Sequence, residues 1–169
     1  MPLIRFSLLT LVIGILLVGC QKELSLELSS EYIKQANELK ELVKGKPFRL
    51  VDFYSNIPID YIEDDGEVKL ETDLWGYVSG YLRDDRYLLY DDYTLDIIQN
   101  DLKIPGSAEE VLSRTYAIGT DANGVFMRFL DYRYNALTYR LHETSEDHFI
   151  LSISWSQGAT LYSRYEFAP

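Results

Sequence analysis

Residues 137–167, LTYRLHETSEDHFILSISWSQGATLYSRYEF, decide the fold. Leu137, Tyr139 and Leu141 alternate with Thr138, Arg140 and His142. Phe149, Leu151, Ile153 and Trp155 alternate with Ile150, Ser152 and Ser154, and Leu161, Tyr165 and Phe167 with Tyr162, Arg164 and Glu166. A period of two places successive side chains on opposite faces of a strand. Residues 144–147 and Gln157-Gly158 supply the turns. The stretch therefore reads as an antiparallel meander with one apolar face and one largely polar face. An apolar sheet face needs a second layer. The expected fold is α+β: a single domain with an antiparallel sheet and helices packed on one face.

Upstream of the meander, Asp121-Ala122-Asn123-Gly124 lies between two further strand patterns, 116–120 and 125–132. Its Asn-Gly pair is a strong hairpin signal. The middle of the chain reads as helical. Leu95, Ile98 and Leu102 line one side of a helix over 92–102, which Pro105-Gly106 ends. Ser107 and Glu110 form a capping box for a short second helix, with Val111 and Leu112 facing inward.

Residues 74–83 read as a strand with Gly76 and Gly80 at close approaches, turning at Asp84-Asp85 into a hairpin partner at 86–90. Before it, 48–54 and 68–72 are expected as strands. They are joined by a loop over 56–66 containing Pro58 and the acidic run Glu63-Asp64-Asp65. A helix is expected from Ser29 or Ser30 to Lys44, with Tyr32 or Ile33, Ala36, Leu39 and Val43 at three- to four-residue spacing. Leu28 and Ile33 are placed for a hydrophobic staple. Gly45 and Pro47 stop the helix.

Chemistry-bearing patterns are sparse. The two histidines, His142 and His148, flank one turn, without the three or four ligands a zinc site requires. No Gly-x-Ser-x-Gly elbow, Ser-x-x-Lys pair or complete EF-hand loop occurs. Adjacent carboxylates such as Asp84-Asp85 and Asp91-Asp92 read as wet, ionised turn residues rather than an acid–base pair. No catalytic residue, cofactor or metal is assigned, and the chain is not expected to be an enzyme.

The chain has 27 acidic and 16 basic residues, a net charge of −11 at pH 7. That balance argues against nucleic acid and against a basic patch for anionic lipid. It favours encounter with a basic partner. Tyrosine is abundant, with 14 residues, and several alternate with acid pairs: Tyr81, Asp84, Asp85, Tyr87, Tyr90, Asp91, Asp92 and Tyr93. Aromatic anchors among carboxylates suit a surface that grips a basic protein. These eight residues are the expected protein-interaction site.

The amino terminus supplies an address. Arg5 precedes an apolar run from Phe6 to Val18, then Gly19 and Cys20, the only cysteine. This layout is that of a secretory signal peptide, and the run is short for a spanning helix. Leu17-Val18-Gly19-Cys20 resembles the lipobox of bacterial lipoproteins. The resemblance implies lipidation of Cys20, cleavage after Gly19 and a chain held on the membrane by fatty acyl groups. Gln21 in the second mature position implies transport to the outer membrane, facing the periplasm. The domains expected are a signal peptide over 1–19, a lipidated cysteine and short tether over 20–29, and one globular domain over 30–169. With its only cysteine lipidated, the mature chain forms no internal disulfide. The function expected is that of an envelope protein that binds and neutralises another protein, of toxin-immunity or enzyme-inhibitor type. The alternative is a structural or assembly accessory of the envelope.

Overall fold

The computed structural model describes residues 30–62, 66–131 and 133–168. The signal peptide, Cys20, Leu28 and the run Glu63-Asp64-Asp65 lie outside the described residues.

The described residues form a single antiparallel β-sheet with two helices. Helix α1 spans residues 30–43. The strands are β1 (Phe48–Ile62), β2 (Val68–Asp73), β3 (Arg86–Leu89), β4 (Thr94–Ile98), β5 (Val111–Asp121), β6 (Gly124–Leu130), β7 (Ala136–Thr144), β8 (His148–Ser154) and β9 (Thr160–Phe167). Helix α2 is a short element, Gly80–Asp84, after a 3-10 turn at Trp75–Tyr77.

The meander closes on itself. Strands β3 to β9 pair in sequence order, and both ends of that series meet β1. Phe48 pairs with Tyr87 on one edge, and Phe48–Ser55 run against Phe167–Leu161 on the other. All nine strands except β2 therefore form a ring, with β2 hanging from the distal half of β1. Closure changes what covers the apolar face. The sheet encloses its own interior, so the expected layer of helices on one open face is not how this fold buries it.

The expected meander and the Asn-Gly hairpin both appear. Asp121 pairs with Gly124, His148 with Glu166, and Leu151 with Leu141 and Ser163. Trp155 falls beyond β8 and is exposed. The expected first helix also appears. Ala36, Leu39 and Val43 are buried, and Tyr32 rather than Ile33 turns to the core. Gly45, at φ +62, ends α1, and its N–H donates to the Leu89 carbonyl. Tyr32 lies beside Gly124. Helix α1 therefore covers the barrel end that carries the β3–β4 and β5–β6 turns.

The middle of the chain corrects four expectations. Residues 94–98 are a strand, not part of a helix. Leu95 and Ile97 are buried while Ile98 is only half-buried, so period two prevails over the spacing Leu95, Ile98, Leu102. β-Branched Thr94, Ile97 and Ile98 favour that outcome. Residues 107–110 are loop, and Val111 and Leu112 open β5. Residues 74–83, expected as a strand, are the 3-10 turn and most of α2, so β3 pairs with β4 and β1 instead. The turn starts where the Asp73 carboxylate accepts from the Trp75 N–H at 3.0 Å. Finally, β1 runs through the expected loop to Ile62. Pro58 fits because the register to β2 shifts between Tyr54 and Ile59, where its missing N–H breaks no ladder bond.

Candidate functional site: a half-hollow barrel

A ring of about eight strands leaves an interior just wide enough to be filled by side chains or to hold one small ligand. This barrel does one at each end. Under α1 the interior is solid. Phe48, Tyr87, Phe149 and Tyr165 form an aromatic cluster, with Phe48 edge-on to Phe149 at 5.0 Å and Phe149 stacked on Tyr165 at 5.1 Å. Leu39, Val43, Leu89, Leu95 and Met127 fill around them. The space left among these side chains is about 10 Å³, too little for a ligand.

The opposite end is hollow. A cavity of about 350 Å³ lies between Leu50 and Phe53 of β1, Tyr87 of β3, Phe129 of β6, Tyr139 of β7 and Tyr165 of β9. Tyr77, Val78, Ser79 and Leu82 cover it from the α2 side, and Ile104 from the 99–110 loop. The volume falls within the range of small-molecule sites, about 300–1,000 Å³.

One polar group in this cavity stands apart. Asp85 has 0% relative exposure, and neither carboxylate oxygen has a hydrogen-bond partner. Its placement follows from strand periodicity. Asp85, Tyr87 and Leu89 are buried while Arg86 is exposed and Leu88 half-buried, so the carboxyl shares the inner face of β3. Its backbone N–H donates to the Tyr81 carbonyl and ends α2, fixing where the side chain leaves the chain. Burial pushes its pKa up to about 7, repulsion from Asp84 adds to the rise, and Lys103 offsets part of it.

Phenols complete the polar lining. Burial raises the Tyr139 hydroxyl to about 12 and also pushes those of Tyr87 and Tyr165 well above the usual phenol value. All three are therefore neutral donors and acceptors at ordinary pH. Asp131 also borders the cavity, but its carboxylate is engaged by the β6–β7 turn. It accepts from the N–H groups of Arg133 and Asn135, both at 2.8 Å, and from the Asn135 amide at 3.0 Å. Partial burial acts to raise its pKa, yet these hydrogen bonds outweigh it and hold the value low.

Two segments cover the cavity and are tied to each other. The Asp84 carboxylate accepts from the Leu102 N–H at 2.9 Å, and the Asn100 amide donates to the Asp84 carbonyl. Buried Gln99 organises the 99–110 loop. Its amide donates to the Glu109 carbonyl at 2.8 Å, and its carbonyl accepts from the Ile104 N–H at 2.6 Å. Gly80 is close enough that an added Cβ would lie 3.0 Å from Leu102.

The eight residues expected to form one surface divide between the two ends of the barrel. Asp84 and Asp85 lie at the hollow end, Tyr81 packs partly buried against the core, and Tyr87 is buried within it. Tyr90, Asp91, Asp92 and Tyr93 form the β3–β4 turn at the α1 end, roughly 17 Å away at 3.4 Å per strand residue. There, Asp91 pairs with Lys44 at 2.9 Å, and Asp92 accepts from the Thr94 N–H at 3.0 Å. Tyr90 and Tyr93 are exposed, and Tyr93 holds φ 66. The reading of Asp84-Asp85 as wet turn carboxylates is corrected for Asp85. Extending the alternation of β3 back by one residue would have found it.

The two histidines do not form one site. His148 bonds Asp147 at 2.8 Å and Glu143 at 3.3 Å, while the His142 ring lies edge-on to Tyr162 at 4.8 Å. Among the described residues, no group of three or more His, Cys, Asp or Glu is placed to hold a metal ion. Ser163, Phe129 and Tyr139 line the cavity without having been singled out from sequence, because their convergence depends on closure of the ring. The chain matches no protein-family model and no curated protein.

Proposed function

We propose that this protein is a lipid-anchored binding protein of the bacterial envelope that holds one small, mainly apolar molecule in the hollow end of its barrel. The observation that carries the proposal is the cavity of about 350 Å³, lined by aromatic and aliphatic side chains around a few convergent polar groups. That composition is typical of sites for small organic ligands. The lipobox-like Leu17-Val18-Gly19-Cys20 supports attachment through Cys20 and a periplasm-facing address at the outer membrane. No catalytic role is proposed.

Titration of uncharged phenylbutanol into protein beginning at Gln21 tests this. Backbone NMR resonances of residues 77–79, 137–139 and 163–165 should shift in a saturable way, while those of 90–93 stay in place. Absence of saturable shifts at the cavity, or equal shifts at both ends, would overturn the proposal.

A second reading keeps a protein partner, as for an immunity protein, an enzyme inhibitor or an envelope assembly factor. The specific observation favouring it is the exposure of Tyr90 (41%) and Tyr93 (64%) beside Asp91 and Asp92 on one turn. Its contact surface would be residues 90–93 alone, without Asp85 or Tyr87.

A further inference from the structure

We propose that the molecule held in the barrel carries an ammonium group, and that this group binds against the Asp85 carboxylate. The inference rests on the cavity reading above and adds the chemical class of the ligand. Three observations converge on it.

The first is the vacant hydrogen-bonding capacity of Asp85. A carboxylate offers about four lone-pair positions, and a buried one is normally paired. Here neither oxygen has a partner, and the side chain is wholly buried in the cavity wall, so the carboxyl turns into the hollow to meet the ligand. A ligand ammonium would supply both charge and donors, and charge-assisted hydrogen bonds of this kind are the stronger class. The second is the sign of the surroundings. Among the described residues, no lysine, arginine or histidine lines the cavity, whereas two carboxylates do. Lys103 acts on Asp85 from the 99–110 loop, and its ammonium donates to the backbone carbonyl of Gln99 at 3.0 Å. A ligand carboxylate or phosphate would add a further negative charge with no cation in the cavity lining to meet it. The third is the aromatic wall. Phe129 and Tyr139 stack at 5.2 Å, and Phe53 and Tyr87 stand across from them. Ring faces attract cations and gain from desolvation.

Size limits the ligand further. At about 30 Å³ for each non-hydrogen atom, the cavity takes roughly a dozen such atoms. An amine with one ring or a short alkyl chain fits, whereas a full-length acyl chain does not. The overall net charge of −11 would help draw in cations.

Binding should also move a proton. Asp84 and the Lys103 ammonium act on the carboxyl, Tyr87 feels its charge, and Tyr77, Tyr139 and Tyr165 line the same cavity, with Asp131 already engaged by its turn. Near pH 6 the empty site holds a proton on Asp85, and an arriving ammonium would displace it to solvent.

The test uses full-length protein in non-ionic detergent, titrated by calorimetry with phenylbutylamine, phenylbutanol and phenylbutyrate. The heat of adding each compound to empty micelles is subtracted. The expected result at pH 7.5 is saturable one-to-one binding of the amine, at least tenfold tighter than the alcohol, with no binding of the acid. Asp85→Asn should bring the amine to within about twofold of the alcohol. In wild-type protein at pH 6, titrations in two buffers of different ionisation heat should show release of close to one proton with the amine and none with the alcohol. That measurement does not depend on the variant folding. Alcohol or acid binding as tightly as the amine, an amine preference retained by Asp85→Asn, or amine binding without proton release would overturn the ammonium assignment and leave the cavity reading standing. Failure of all three compounds to bind would overturn both.

Discussion

Replacing Asp85 with Asn should make the protein more stable at pH 8 and leave it unchanged at pH 3. Burial raises the Asp85 carboxyl to about 7 in the folded chain, whereas an unfolded aspartate titrates near 3.9. Between these values the folded protein keeps a proton that the unfolded chain releases. Stability therefore falls as pH climbs from about 4 to about 7, then stays at the lower level as far as this group is concerned. At about 1.4 kcal/mol per pH unit, the loss is on the order of 4 kcal/mol. A domain of this size has a total stability of about 5–15 kcal/mol, so the loss is a large fraction. Asparagine is the neutral isostere of the protonated acid and never ionises. It should match wild type at low pH and exceed it by up to that amount at pH 8. Urea denaturation in the absence of ligand, followed by the fluorescence of Trp75 and Trp155 at pH 3, 5 and 8, measures the difference. An Asn variant that is no more stable at pH 8, or whose advantage is the same at pH 3, would refute the claim that the carboxyl is buried without a partner.

Other expectations follow from the packing. Phe149→Ala removes the centre of the aromatic cluster and should cost about 3–5 kcal/mol by urea denaturation, since α1 and the strands around it cannot collapse onto the gap. Gln99→Ala leaves the Ile104 N–H and Glu109 carbonyl unmet and should cost about 1–3 kcal/mol, with faster amide exchange concentrated in residues 99–110. Asp91→Ala breaks only the exposed pair with Lys44 and should leave the urea midpoint unchanged. If residues 90–93 contact a protein partner, the Asp91→Ala change should slow association in low salt more than in high salt. Mass spectrometry of wild type should find lipid on Cys20, and Cys20→Ser should carry no lipid and retain residues 1–19.

The C-terminal strands and the first helix were legible because their signals are local. Alternation over 137–167 selects strand, and Gly45 with Pro47 after Val43 selects a helix end, whatever the rest of the chain does. The middle failed where one set of residues satisfies two periods. Leu95, Ile97 and Ile98 fit a helix or a strand, and only the open edges of β3 and β5 on either side choose between them. Pro58 misled because its strand is bulged at that point.

The candidate site was legible only in pieces. Asp85 and Tyr87 stood out for their chemistry, but placing them beside Tyr90 and Tyr93 treated nearness in sequence as nearness in space. A strand separates its ends by several ångström for every residue, so β3 carries the two groups to opposite ends of the barrel. What the chain's local patterns determine by themselves is the strand alternation over 137–167, the Asn-Gly hairpin and the limits of α1. Whether β9 returns to β1, and so whether the inward face is covered by helices or encloses a space, depends on the summed twist and stagger of all the strands. That closure decided that a carboxylate from a two-aspartate turn would be sealed among aromatic rings rather than left in water.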